Sequence, residues 1–207
     1  PFETEGVIVS HAHLDHGNDA EAIIELMTEA GDKRGALFAS ESVLSGYGDL
    51  EKSVSEYHKD LCGKVKKMKE GSKFNFKDLE IESQEMFHSD PKTQGFKISD
   101  GEKTIGFWTD TEYSDELTEF YTDCNTLVVY CTRPKGRSVR SHTGVSDIPK
   151  ISERTGASNI ILTHLGQAFL NSDLQEQKKW VKENTEASVT FAEDGMAYPG
   201  NRSLGDF

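Results

Sequence analysis

A chain of 207 residues with 35% hydrophobic and 29% charged residues is long enough to bury a real core and too apolar to be disordered. Its formal net charge of −13 repels nucleic acid at long range, which argues against a general DNA or RNA coat protein. No apolar run approaches the roughly 18–20 residues that a membrane helix needs, so no membrane partner is expected.

The chain opens without the basic start and long apolar stretch of a signal peptide. Gly6–Ser10 (GVIVS) is β-branched and reads as a buried strand feeding into a histidine cluster, HAHLDH. Asn18 or Asp19 can cap a helix through Ile23, Ile24 and Met27 that stops near Gly31. Ala36–Ala39 predicts a short strand, and Ser40-Glu41 opens a helical turn ending at the Gly46–Gly48 loop. Asp49–Lys67 reads as helical in its first part and becomes basic at KVKKMKE. Phe74, Phe76, Leu79 and Ile81 alternate with polar residues, and Gly95–Ile98 and Lys103–Thr109 flank a turn at Ser99–Glu102. Then the rhythm changes to strand Thr126–Cys131, a helix from near Ser146 to Gly156, and strand Asn159–Thr163. A helix from about Asp173 to Asn184 and strand Ala187–Phe191 complete the chain. Strands that first dominate and then alternate with helices predict a layered α/β protein with mixed sheets. No linker or repeat divides it, so a single domain over residues 1–207 is expected. Cys62, Cys124 and Cys131 form no CxxC pair and read as reduced core or strand residues of a cytoplasmic protein.

The seven histidines are not scattered at random. His11, His13 and His16 share the opening cluster with Asp15, while His88 and His164 follow strand-like segments. His142 lies in the loop after TLVVYC, and Asp110 ends KTIGFWTD. Only His58 falls inside a polar helical stretch, where it reads as solvated. Loops at strand ends are where a rigid sheet can hold a site. Imidazole and carboxylate suit zinc and similar divalent ions. His11 and His13, two apart on extended chain, face the same way and can hold one ion. Asp15 and His16 can hold a second, and a carboxylate such as Asp110 can bridge. Two such ions roughly 3.5–4 Å apart generate a bridging hydroxide.

HAHLDH resembles the HxHxDH signature of the metallo-β-lactamase superfamily, and His88, Asp110 (in TDT) and His164 (in ILTHLG) follow in that family's order. The resemblance spans about Gly6 to Met196. It implies an αββα four-layer sandwich carrying two divalent ions, zinc first, with manganese or iron as alternatives. His11, His13 and His88 would hold one ion, Asp15, His16 and His164 the other, with Asp110 between them. Members of the family normally place several strands before HxHxDH. A chain that reaches it at His11 is therefore expected to lack the first strands of the fold, either because it is a fragment of a longer protein or because something else, such as a partner subunit in a homo-oligomer, replaces them.

Three features favour phosphate esters over the carbonyl substrates of glyoxalase II-like thioesterases and lactonases, which share the ligand set. Arg133, Lys135, Arg137 and Arg140 crowd one loop, no acid occurs from Cys124 to Ser146, and such cations suit phosphate. His142-Thr143 resembles the motif of RNase Z in which a histidine protonates or stabilises the leaving oxygen. HSDPKTQGF (88–96) resembles the proline-turn and Gly-aromatic pattern of the same enzymes. No Gly/Pro-rich arm for gripping tRNA lies between His16 and His88. The expectation is therefore a compact phosphodiesterase for small phosphorylated substrates or short oligonucleotides. Asp15 would orient the nucleophile, His142 would serve the leaving group, and the four cations would hold phosphate.

Overall fold

The GVIV run builds β1 (Gly6–Val9), the first strand of a computed structural model that describes residues 3–29 and 33–198. Two helices follow, α1 (Leu14–Gly17) and α2 (Ala20–Thr28), and then β2 (Arg34–Ser40) and α3 (Glu41–Ser45). α2 ends at Thr28, with Glu29 in the left-handed region; the stop expected near Gly31 lies outside the described residues. The helix expected from Asp49 forms only as α4 (Glu56–Leu61), capped by Ser55. The basic run after it is a strand, β3 (Cys62–Met68), at the edge of a parallel sheet of order β1-β2-β3. Lysines on an edge strand discourage pairing with a foreign chain, which is why so charged a segment can be extended. His58 is not solvated as expected. Its side chain is 14% exposed and bridges Glu21 (3.0 Å) and Glu25 (3.2 Å), one helical turn apart, so it ties α4 to α2.

The second sheet contains β4 (Ser72–Phe76), β5 (Leu79–Glu85), β6 (Gln94–Ser99) and β7 (Thr104–Trp108) in antiparallel sequence. After α5 (Asp115–Phe120) come β8 (Thr126–Arg133) and the two-residue β9 (Thr143–Gly144), which pairs with it. A 3-10 turn (Val145–Asp147) leads into α6 (Ile148–Thr155), stopped where Gly156 takes φ +66°, a conformation that side chains resist. β10 (Asn159–Thr163), α7 (Gln167–Leu170), α8 (Leu174–Asn184) and β11 (Ser188–Phe191) complete the order β11-β10-β8-β7-β6-β5-β4, in which β7, β8, β10 and β11 are parallel.

Three apolar layers glue these parts together. Strand β2 shows the logic, because its side chains alternate between faces. Leu37 and Ala39 pack with Ile24, Met27, Val43 and Leu44 of the helices. Ala36 and Phe38 point the other way, against Ile81, Phe74 and Phe76 of the large sheet. Burying a side chain such as Phe38 contributes about 1.5–3 kcal/mol. On the outer face of the large sheet, Leu127, Val129 and Cys131 meet Leu117, Ile148, Ile151 and Val181. The stacking is helices, sheet, sheet, helices, the αββα sandwich expected from the sequence. Cys62, Cys124 and Cys131 are free and buried. Among the described residues no helix is long and apolar enough to cross a membrane.

Candidate metal centre

Strand direction brings the donors together. β7, β8 and β10 are parallel, and two antiparallel steps make β5 run with them. The loops after β5 (His88), β7 (Asp110), β8 (His142) and β10 (His164) therefore leave one edge of the large sheet. The loop after β1 brings His11, His13, Asp15 and His16 to the same edge.

There the side chains interlock. His13 Nδ1 lies 3.1 Å from both His11 Nε2 and His88 Nε2. His164 Nε2 lies 3.0 Å from His16 Nε2 and 3.3 Å from Asp15 Oδ2. Asp110 Oδ2 sits between the groups, 3.2 Å from His16 Nε2, 4.0 Å from His11 Nε2, 3.9 Å from His88 Nε2 and 3.9 Å from His164 Nε2. All seven residues expected as ligands meet here, and the triads His11-His13-His88 and Asp15-His16-His164 each converge on a common point.

The cluster fits a cation better than it fits itself. Nitrogens bound to one tetrahedral zinc at about 2.0–2.1 Å would stand about 3.3–3.4 Å apart, close to the spacings seen. Asp110 Oδ1 is buried without a hydrogen-bond partner. Burial, then the neighbouring His16 and His88 imidazoles, pull the His11 pKa down to about 2, so its ring is neutral and ready to donate a lone pair. Burial alone would raise the Asp110 pKa. The His16 hydrogen bond and the His164, His16 and His11 rings outweigh it and hold the carboxyl at about 2, an anion at neutral pH. His88 is also shifted down by burial, against the opposing pull of the Ser141 carbonyl.

The surroundings orient the donors. His88 Nδ1 donates to the Ser141 carbonyl at 2.8 Å, which leaves Nε2 free to face the cluster. Both Ser141 (φ +64°) and His164 (φ +56°) occupy left-handed backbone, a strain that sites tolerate when neighbours enforce it. Trp108 Nε1 donates to Thr143 Oγ1, which donates to the Thr111 carbonyl, both at 2.9 Å. That chain links the loops of Asp110 and His142. Tyr130 lies beside His16 and His164 in near-parallel stacks, with ring centroids at 5.7 and 5.6 Å.

Asp90 grips the first ligand loop. Fully buried, it accepts the Ala12 N–H (3.0 Å) and the Ser42 hydroxyl (2.5 Å) on one oxygen and the Lys92 N–H (2.8 Å) on the other. Asp90→Ala strands three donors, and the expected cost is on the order of 2–4 kcal/mol, roughly 5–15 °C in Tm. An unchanged melting curve would refute that role. The sequence reading missed Asp90 and Tyr130. Period-two alternation marks Tyr130, because Leu127, Val129 and Cys131 are fully buried on the helix side and leave it facing the donors.

His142 stands at the rim. Its Nε2 is 3.8 Å from Asp110 Oδ2, its ring meets His88 edge-on at 4.9 Å, and Nδ1 pairs with the Arg140 carbonyl. This places His142 as near Asp110 as His88 is, closer to the donors than its loop position alone implied. The four cations do not act as one group. Arg140 adjoins His142 in the chain, but Arg133, Lys135 and Arg137 line a separate basin of about 490 Å³ that contains none of the donors. A cleft of about 630 Å³ does open on the donors, lined by Asp15 and His164 with Leu165, Leu170, Leu174 and Phe191.

Histidines and aspartates gathered at the sheet edge of an αββα sandwich define a metallo-hydrolase of the metallo-β-lactamase fold. The chain belongs to the β-lactamase superfamily: the family described as Beta-lactamase superfamily domain matches residues 3–165. The uncharacterized protein MJ1374 of Methanocaldococcus jannaschii is 29% identical over 199 residues, 95% of this chain and 74% of that one. Ribonuclease Z of Methanococcus maripaludis is 32% identical over 102 residues, 45% of this chain and 33% of that enzyme. The crystal structure of the metallo-β-lactamase fold protein YhfI from Bacillus subtilis superposes with a TM-score of 0.74 at 18% identity, covering 91% of this chain and 75% of that one.

Proposed function

We propose that the protein is a metal-dependent phosphodiesterase acting on small phosphodiesters or short oligonucleotides. One observation carries the reading: His142, outside the seven donors, reaches the same centre from the loop after β8. A phosphodiester expels an alkoxide, which needs a proton; a thioester expels a thiolate, which does not. An imidazole poised at the rim is the group that such a leaving oxygen requires.

His11, His13 and His88 would hold one divalent cation and Asp15, His16 and His164 a second, with Asp110 shared. Zinc suits the donors best, with manganese or iron as alternatives. When bound, such ions supply Lewis acidity and ionise water at neutral pH. The chain's own residues do the rest. Asp15, exposed at the cleft, orients the attacking water and accepts its proton; His142 hands a proton to the leaving oxygen; Leu165, Leu170 and Phe191 receive the organic portion of the substrate. The cleft volume suits a small ligand. The shared segment with Ribonuclease Z supports phosphate chemistry.

The test is turnover of bis-p-nitrophenyl phosphate with manganese or zinc added, beside a thioester and a lactone. Diester hydrolysis exceeding both is the expected result. Robust thioester or lactone hydrolysis without diester turnover overturns the reading in favour of the glyoxalase II-like alternative.

A further inference from the structure

We propose that Arg133, Lys135 and Arg137 form a phosphate-binding site of their own, beside the metal centre and separate from it. The basin they line is completed by the polar side chains of Gln167, Asn171 and Gln177, and no Asp or Glu lines it. In a chain of net charge −13 that is a local inversion of sign. Elsewhere many cations are matched by carboxylates: Lys52, Lys59, Lys73, Lys77, Lys97, Arg34 and Arg154 all sit in ion pairs. Among the described residues neither Arg133, Lys135 nor Arg137 has a carboxylate within 4.0 Å. Arg133 Nε is buried with no hydrogen-bond partner, a costly state for a guanidinium.

The basin is also built rather than incidental. The Lys135 N–H donates to Gln177 Oε1 of α8 at 2.8 Å, and the Lys135 ammonium lies 5.0 Å from the Trp180 ring centroid. The Gly136 N–H donates to Ser146 Oγ at 3.3 Å. The cationic loop is thus pinned to two neighbouring elements before any ligand arrives. Guanidinium forks and an ammonium on a fixed backbone are suited to a phosphate dianion. The chain runs from the donor His164 into the basin within three residues, at Gln167. The occupant is therefore either a second phosphate of the molecule being cut or a free phosphate. The first of these rests on the phosphodiesterase reading; the site itself does not.

Calorimetric titration of inorganic phosphate into the purified 207-residue chain tests it, in the parent and in Arg137→Glu, Lys135→Glu and Asp110→Asn variants. Lys135 and Arg137 are exposed, so their reversal leaves the fold intact, which circular dichroism checks. Expected is a saturable site whose affinity falls at least tenfold in both charge reversals and persists in Asp110→Asn. Non-saturable binding, or a site lost in Asp110→Asn and indifferent to Arg137→Glu, overturns the proposal. Because phosphate binding needs no turnover, this outcome is independent of whether bis-p-nitrophenyl phosphate is cleaved. Kinetics then separate the two occupants. A tenfold rise in KM with Arg137→Glu, confined to diesters that carry a terminal phosphate, identifies the substrate's own phosphate. Equal responses with and without that phosphate identify a free one.

Discussion

Asp110→Asn is expected to abolish metal-dependent stabilisation and to lower activity by more than the 10–100-fold typical of residues that merely support a ligand. The carboxylate is placed unlike any other donor: its Oδ2 lies within 4.0 Å of His11, His16, His88, His142 and His164 at once. An amide of the same size keeps the packing and removes a buried anion placed to balance cations there. Thermal unfolding with and without metal reads this directly. At a metal concentration 100 times Kd, binding to the folded state contributes about 2.7 kcal/mol, or roughly 5–10 °C in Tm for a chain of this size. Each tenfold loss of affinity removes about 1.4 kcal/mol of that shift. The variant should therefore show little or no rise in Tm on adding zinc or manganese, and elemental analysis should find it metal-poor. A full thermal shift in Asp110→Asn would remove the carboxylate from the centre.

Much of this centre was legible because its members are chemically conspicuous and its strands are short. HAHLDH announces itself by composition, and His164 directly follows β10. His88 and Asp110 were also found, although β5 stops at Glu85 and β7 at Trp108, so each sits a few residues into a loop. What was not legible depends on long-range packing. Nothing local says that Glu21 and Glu25 will clasp His58, or that a lysine-rich run will be drawn into a sheet by pairing with β2. Nor does spacing show that Asp90, 78 residues from Ala12, holds the backbone between the first two histidines. The cations are the clearest case. Adjacent in sequence, they read as one phosphate grip, yet the chain turns between Pro134 and Arg137, where the Arg137 N–H meets the Pro134 carbonyl. Three of them line a basin apart from the donors. Sequence proximity reports which residues share a loop, not which face of the loop they occupy.

His142→Ala separates the remaining chemistries. If His142 protonates the leaving oxygen, its loss should cost about 10²–10⁴-fold in kcat on a diester with an ordinary alcohol leaving group, equivalent to roughly 2.7–5.5 kcal/mol of barrier. The loss should be much smaller for a nitrophenyl leaving group, which departs readily as an anion and needs little help. A metal-donor role makes a different pattern, and the geometry makes that comparison necessary because His88, Asp110 and His142 themselves converge within metal-binding distance. A donor's removal lowers metal content and depresses all substrates alike. The decisive measurement is therefore a pair: metal stoichiometry of His142→Ala, and its activity across diesters of graded leaving-group acidity. Unchanged metal with a loss that steepens as the leaving group becomes more basic establishes general acid catalysis. Uniform loss with falling metal makes His142 an eighth ligand, and indifference to the substitution returns the balance to thioesters, whose thiolate leaves without a proton.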